Sequence, residues 1–432
     1  MALGGGTFLV QNKVLPGAYI NFVSAARASA NLSDRGVATI PLELDWGVQD
    51  EVMTVTTGDL QKNSLKLFGY DYAAPQMRCL RDLFSNIRLA YIYRLGKGGV
   101  KASNAFATAN YAGTRGNALK VVIENSVDHA GKFEVSLYLG FSLVDTQVVA
   151  NAGELEDNDF VVWKKAAVLA INAGATLAGG TNPGQNGAFS DYLNIIEGYT
   201  FNAIGCPSND NAIKKQFSSF TERMRDEQGV KFQCVTYNNK ADYEGVVNVK
   251  NAAKEADAWS AVYWVTGVVA GTAVNKSALN KVYDGEYDLD VNFTQLQLVE
   301  AIKSGEFTFH RVGSDIRVLS DINSLVNVTL EKGEDFKQNQ TVRVIDQIAN
   351  DIAVLFNTKY LGVVPNDAAG RISLWADIVM HHEQLQDIRA IEDFSDSDIT
   401  VEQGNNKRSV LVTDLVTVVN AMAQLYMVVT VA

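Results

Sequence analysis

Tyr426-Met427-Val428-Val429-Thr430-Val431-Ala432 is the stretch on which the reading of this chain turns. β-Branched and aromatic residues make it a short strand. A strand at a chain end has to pair with something, because an open edge leaves amides unpaired and aggregates. The other end has the same character. Met1-Ala2-Leu3-Gly4-Gly5-Gly6 leads into apolar Thr7-Phe8-Leu9-Val10, and then into Leu15-Pro16-Gly17-Ala18-Tyr19-Ile20-Asn21-Phe22. Neither end reads as a tail that buries itself at home. Two adhesive ends on one chain point to strand exchange between copies, and so to a polymer.

Between the ends lies an ordinary globular composition. The 432 residues are 47% hydrophobic and 20% charged, with 6 Pro. That length allows several domains and a large core. The net charge of −12 disfavours direct nucleic-acid binding. The three cysteines, Cys79, Cys206 and Cys234, are scattered. Their odd count argues against a disulfide framework or a zinc site, and fits folding in a reducing cytosol. Gly-rich sequence stands where a secretory signal would have its apolar core, so none is expected. Ala258–Asn275 carries no charge, but it is shorter than the roughly 20 apolar residues of a membrane span. It reads as a buried core helix and its exit loop, without membrane insertion.

The local pattern mixes strands and helices. Residues 37–44, 51–55 and 89–95 read as strands. Residues 75–87 read as a helix with Met77, Leu80, Leu83, Phe84 and Ile87 on one face. From about 100 to 180 the texture changes: Leu119–Glu124, Lys132–Leu139 and Phe141–Val149 are closely spaced strands, punctuated at Asp128–Gly131 and Gly140. This is a small β-rich unit inserted into an α/β body, and it closes on the loop Leu177–Gly187. After residue 188, helices over 190–197 and 212–228 alternate with strands over 200–205, 230–237 and 246–249. That rhythm implies a partly parallel sheet with helices on its faces. Residues 307–312 and 316–319 form one hairpin; Ile399–Glu402 and Ser409–Val412, across Gly404-Asn405-Asn406, form another. Residues 340–357 and 368–388 read as amphipathic helices. Asp414 is placed to N-cap a final helix with Leu415, Val418, Val419, Met422 and Leu425 on one face.

Candidate chemistry is sparse. Gly96-Lys97-Gly98-Gly99 follows a strand, but Val100 stands where a phosphate loop needs its Gly-Lys-Ser/Thr, so the segment reads as an interdomain hinge. His381 and His382 are adjacent, about 100° apart on a helix, and so cannot share a metal as an i, i+4 pair does. They read as a solvated helix face. Glu383, Asp387, Glu392, Asp393, Asp396, Asp398 and Glu402 face one Arg389. No calcium loop is present among them, and the bland reading is a polar loop; a pairing surface for a basic neighbour is the alternative. Cys206 precedes Pro207 at a strand end, where α/β proteins hold ligands, but no histidine is near. No cofactor, metal or catalytic set emerges.

Five motifs in order carry a resemblance. Pro16-Gly17-Ala18-Tyr19-Ile20-Asn21 is similar to an N-terminal Pro-Gly-x-Tyr arm. Tyr111-Ala112-Gly113-Thr114-Arg115-Gly116-Asn117-Ala118-Leu119-Lys120-Val121 resembles a Gly-Thr-x-Gly-Asn lead into an inserted β-domain. Leu177-Ala178-Gly179-Gly180 with Asp191-Tyr192 is similar to the return. Gly267-Val268-Val269-Ala270-Gly271 with Asn275-Lys276-Ser277 resembles a core Gly-x-x-Ala-Gly helix. Asp398-Ile399-Thr400-Val401, Ala421-Met422 and Tyr426–Val431 resemble a C-terminal block. Together they resemble the tail sheath proteins of contractile bacteriophage tails and phage-tail-like bacteriocins, over nearly the whole chain. Ala18 stands where a Val is commoner.

The resemblance implies a structural subunit and no enzyme. The fold it implies is mixed α+β and α/β: a core of helices on a mixed sheet, an inserted outer β-rich domain, and extended terminal arms. The expected division is 1–23 (N-terminal arm), 24–96 (core, first part), 97–180 (inserted domain), 181–335 (core, second part), 336–425 (tube-facing part) and 426–432 (C-terminal arm strand). Strand exchange is expected to use Ala18, Tyr19, Ile20, Asn21 and Phe22 of one arm and Tyr426, Met427, Val428, Val429, Thr430 and Val431 of the other. Their expected template is the hairpin of Ile399, Thr400 and Val401 with Val410, Leu411 and Val412. Partners implied are other copies in stacked, six-fold rings, an inner tail tube, and baseplate and tail terminator proteins. Tube contact is expected from a helix within 340–390. The location implied is a virion tail or phage-tail-like particle assembled in the bacterial cytoplasm. An unrelated shell or surface-layer protein, and an α/β ligand-binding enzyme, are the alternative readings.

Overall fold

A computed structural model describes residues 32–431. They form two compact units. One holds Asp34–Ala349 and the described residues from Val418; the other holds Asn350–Thr417 with Leu32 and Ser33.

In the larger unit, β1 (Val37–Leu42), β2 (Val52–Thr56) and β3 (Leu89–Arg94) come first, with α1 (Thr57–Phe68) and α2 (Arg78–Phe84) between the last two. Helix α1 was not expected from the sequence. A reciprocal capping box between Thr56 and Asp59 starts it, and Gly69 at φ 77° stops it. The chain then makes an antiparallel excursion: β4 (Lys101–Ser103), β5 (Ala107–Ala112), β6 (Leu119–Asn125), β7 (Phe133–Leu139), β8 (Ser142–Val149), β9 (Val161–Trp163) and β10 (Asn172–Thr176). It returns through α3 (Ala188–Ile196), β11 (Ala203–Gly205), α4 (Asn211–Glu222), β12 (Gln233–Tyr237), β13 (Val246–Val249), α5 (Ala261–Gly271), α6 (Gln295–Lys303), β14 (Glu306–Phe307), β15 (Phe309–Val312), β16 (Asp315–Val318) and α7 (Asn339–Leu355).

The main sheet has the order β14-β13-β12-β11-β1-β3-β2 and is parallel except for β2 against β3. All its strands but the edge strand β2 are largely buried on both faces, which is why they read as mostly apolar runs. Helix α5 is the charge-free segment of the sequence, and ten of its eleven residues are buried. It packs on β1, β11, β12 and α2. Gly267 and Gly271 lie on its α2-facing side; a Cβ there would collide with the carbonyl oxygens of Leu83 and Asn86. No helix among the described residues is long and apolar enough to cross a membrane.

The excursion builds two sheets, β10-β6-β7-β8 and β4-β5-β9, around their own core of Leu119, Val121, Ile123, Leu137 and Trp163. Burial alternates along β6 and β7, as a half-buried strand requires. Its neck is a pair of antiparallel passages. Lys97 and Gly184 exchange both backbone hydrogen bonds, as do Val100 and Thr181, at 3.0–3.2 Å. Trp46 of the main body inserts into the excursion's core, edge-on to Tyr111. Arg94, wholly buried, donates to Leu44 O, Gly47 O and Ala112 O at 2.6–3.0 Å. Burial lowers its pKa to about 10, so the cation persists at neutral pH and joins body to excursion through three carbonyls.

The smaller unit holds α8 (Ala368–Asp387), β17 (Ile391–Glu392), β18 (Ile399–Gln403) and β19 (Val410–Asp414) around a core of Leu355, Tyr360, Leu374, Ile378 and Ile399. One expectation fails here. Asp414 is the last residue of β19 and caps no helix; residues 419–431 are neither helix nor strand. The apolar spacing of Leu415, Val418, Val419, Met422 and Leu425 meets no apolar surface among the described residues: Leu415, Met422 and Leu425 are 68%, 99% and 85% exposed. An isolated amphipathic helix of this length is marginal in water.

Two outcomes check this packing. Gly271→Ala should destabilise the chain by about 2–3 kcal/mol, measured by denaturant unfolding, because the new methyl meets backbone that cannot yield; an unchanged midpoint would refute the close approach. The second concerns Asp82, whose carboxylate is buried beside Tyr283 and accepts the Glu286 amide. Burial raises its pKa from 3.8 to about 6, so the folded state holds this proton more tightly than the unfolded one. The resulting stabilisation is complete below the unfolded pKa and disappears as pH rises through about 6. The stability difference between wild type and Asp82→Asn should therefore change between pH 4 and 6 and stay flat above 7.

Candidate strand-exchange site

The hairpin β18–β19 is a two-stranded sheet that no third strand joins among the described residues. Its register pairs Ile399 with Asp414, Thr400 with Thr413, Val401 with Val412, Glu402 with Leu411 and Gln403 with Val410. Ile399, Val401 and Val410 turn into the smaller unit's core. Leu411 and Val412 remain 56% and 37% exposed. Side chains hold the hairpin from beneath. Trp375 Nε1 donates to Ile399 O at 3.1 Å, and Asn366 Nδ2 donates to Ser409 O at 2.8 Å. Leu415 N–H donates to Asp398 O at 3.2 Å. The sequence offered no signal for Trp375 and Asn366, since their partners are carbonyls remote in the chain.

The six hairpin residues expected as template are thus brought together in one element. Tyr426, Met427, Val428, Val429 and Val431 are 70–93% exposed, and with Thr430 they have no ladder partner in the described chain. Ala18, Tyr19, Ile20, Asn21 and Phe22 lie outside the described residues.

His381 and His382 do not form a solvated face. Both are buried, on the side of α8 that carries Leu374, Ile378 and Leu385. His382 Nδ1 donates to Ile378 O at 2.9 Å, while its Nε2 lies 3.0 Å from Asp414 Oδ2. His381 Nε2 lies 3.0 Å from Asp351 Oδ2. Acidic partners outside the helix make burial of both imidazoles tolerable, and neither acid was visible from the local pattern.

The remaining candidates find structural roles. The amides of Lys97 and Val100 are spent on the neck, and Lys97 Nζ pairs with Asp191 at 2.8 Å. Cys206 is buried, and burial pushes its thiol pKa well up, which leaves it inert as a nucleophile. Asp398 is spent in a capping box with Ser395. No group of three metal-ligating side chains is found among the described residues.

Comparison with known proteins follows the same architecture. Residues 35–95 match the tail sheath protein Gp18 domain III N-terminal region, and 97–182 the phage tail sheath protein beta-sandwich domain. Residues 184–324 match the phage tail sheath protein central domain, and 331–432 the phage tail sheath C-terminal domain. The phage-like element PBSX protein XkdK of Bacillus subtilis strain 168 is 32% identical over 465 aligned residues, covering 98% of this chain and 99% of that protein. The solved sheath tail protein of Desulfitobacterium hafniense has a TM-score of 0.82 at 33% identity, over 94% of this chain and 97% of that one. The contracted helical sheath of the anti-feeding prophage has a TM-score of 0.58 at 13% identity, over 96% and 98% of the two chains, and shares the fold. A mixed-sheet body, a β-sandwich excursion and these full-length matches lead to one conclusion: the chain belongs to the phage tail sheath family, as a structural subunit of a contractile tail sheath and not an enzyme.

Proposed function

We propose that this subunit polymerises as stacked, six-fold rings around an inner tube by exchanging strands with its neighbours, and that the sheath contracts to drive the tube through a bacterial envelope. The C-terminal arm, Tyr426–Val431, and the N-terminal arm, Ala18–Phe22, of neighbouring copies add to the β18–β19 hairpin of a third copy. Baseplate and terminator proteins bound the polymer, in a phage tail or a headless particle assembled in the host cytoplasm. The 97–180 region faces outward and residues 336–425 face the tube.

One observation carries this reading. Among the described residues, the chain presents an uncharged, apolar, strand-forming segment with no backbone hydrogen bond, and also a hairpin that no third strand joins. Added strands bind through main-chain hydrogen bonds, which survive rigid-body rotation of the subunits if the arm bends at its root. Gly4–Gly6 and Pro16-Gly17 supply bends for the other arm. The anti-feeding prophage sheath, solved contracted, supports contraction on this fold. Energy is stored in assembly, and no nucleotide is required.

Removing Tyr426–Ala432 should leave a folded, soluble subunit with an unchanged circular dichroism spectrum and no polymers in electron micrographs. Polymers of normal diameter from the truncated chain would refute the reading. A proline scan over Met427–Thr430 should cost most at alternate positions, because only every second N–H of a strand faces a given neighbour. Equal losses at all four would argue against a strand paired along one edge.

A further inference from the structure

The chain from Val418 belongs to the same compact unit as Gln340 and Thr341, in the first turn of α7. Both side chains are buried, at 4% exposure. Gln340 Nε2 donates to Val419 O at 3.0 Å, and its Oε1 accepts the Ala421 N–H at 3.0 Å. Asn420, between them, donates from Nδ2 to Thr341 Oγ1 at 3.0 Å. One amide side chain therefore satisfies the carbonyl of one residue and the N–H two residues on. Those are the two groups that a residue of a parallel neighbouring strand engages. Beyond Ala421 no backbone group is hydrogen-bonded among the described residues.

We propose that Gln340, supported by Thr341, is a positioning residue for strand exchange: it fixes the root from which Met422–Val431 reach a second copy of the chain. The inference rests on the arm exchange proposed above. A buried primary amide is costly unless donor and acceptor are both satisfied, and here both are spent on the main chain of a segment that otherwise lacks regular structure. Holding Val419–Ala421 before binding removes part of the ordering cost that a floppy arm would incur on docking. It also sets where the arm starts, and a strand displaced by one residue turns every side chain to the wrong face.

The test compares full-length wild type, Gln340→Leu and Gln340→Glu in two measurements: amide hydrogen exchange of the unpolymerised subunit, and the critical concentration for polymerisation. Gln340→Leu should speed exchange at the Ala421 amide about tenfold and raise the critical concentration by a similar factor, with the subunit's unfolding midpoint little changed. Gln340→Glu keeps the acceptor for Ala421 and loses the donor to Val419, so it should fall between on both. It carries the test alone if the leucine variant fails to fold. Fast exchange at Ala421 with wild-type polymerisation would overturn the proposal, as would an Ala421 amide unprotected in the wild type. A chain without Tyr426–Ala432 separates the two readings. If it polymerises, arm exchange itself fails; if it does not, while Gln340→Leu polymerises normally, only the positioning role falls.

Discussion

Backbone amides withdrawn from water must find hydrogen-bond partners, and the organisation of this chain follows from where those partners lie. Inside the larger unit they lie within the molecule. The seven-stranded sheet closes its own ladders, the neck of the excursion exchanges backbone bonds in two places, and Arg94 gathers three carbonyls that the junction would otherwise strand. Two segments are different among the described residues: the hairpin of Ile399–Gln403 and Val410–Asp414 pairs with itself but takes no third strand, and no backbone hydrogen bond ties down Met422–Val431. For a protein of the tail sheath family, the natural place to look for their partners is another copy.

Magnitudes let the proposed joint hold without being permanent. Ordering six arm residues costs about 6–12 kcal/mol of backbone entropy. Burying one face of the strand, two or three side chains from Tyr426 to Val431, returns about 4–8 kcal/mol. Half a dozen ladder bonds add about 1 kcal/mol each. The sum is small and favourable, and it depends on the backbone bonds. Those bonds are indifferent to side-chain identity and travel with the strand, so the proposed joint can stay closed while a subunit rotates as a body.

Much of this was legible in the sequence because it rests on local rules. The period-two alternation of Leu119–Glu124 and Lys132–Leu139 fixed the excursion's strands, and the charge-free run around Trp264 gave the buried helix α5. Helix α1 escaped because its apolar face is narrow, although Thr56 and Asp59 announce its start. The final helix expected after Asp414 failed for the opposite reason. Its spacing is helical, but no surface meets it, and propensity without packing does not hold a helix. His381 and His382 were misplaced because Asp351 and Asp414, the acids that make their burial possible, come from other elements. The template hairpin was readable from Gly404-Asn405-Asn406 between two apolar runs. Trp375, Asn366 and Gln340 were not, because each serves a distant backbone group.

Residue-resolved amide exchange on the subunit before and after polymerisation tests strand exchange most directly. It predicts that Met427–Val431, and those amides of Val410–Thr413 that do not already pair with β18, become protected together in the polymer. Polymers in which both segments exchange as fast as in the free chain would contradict it.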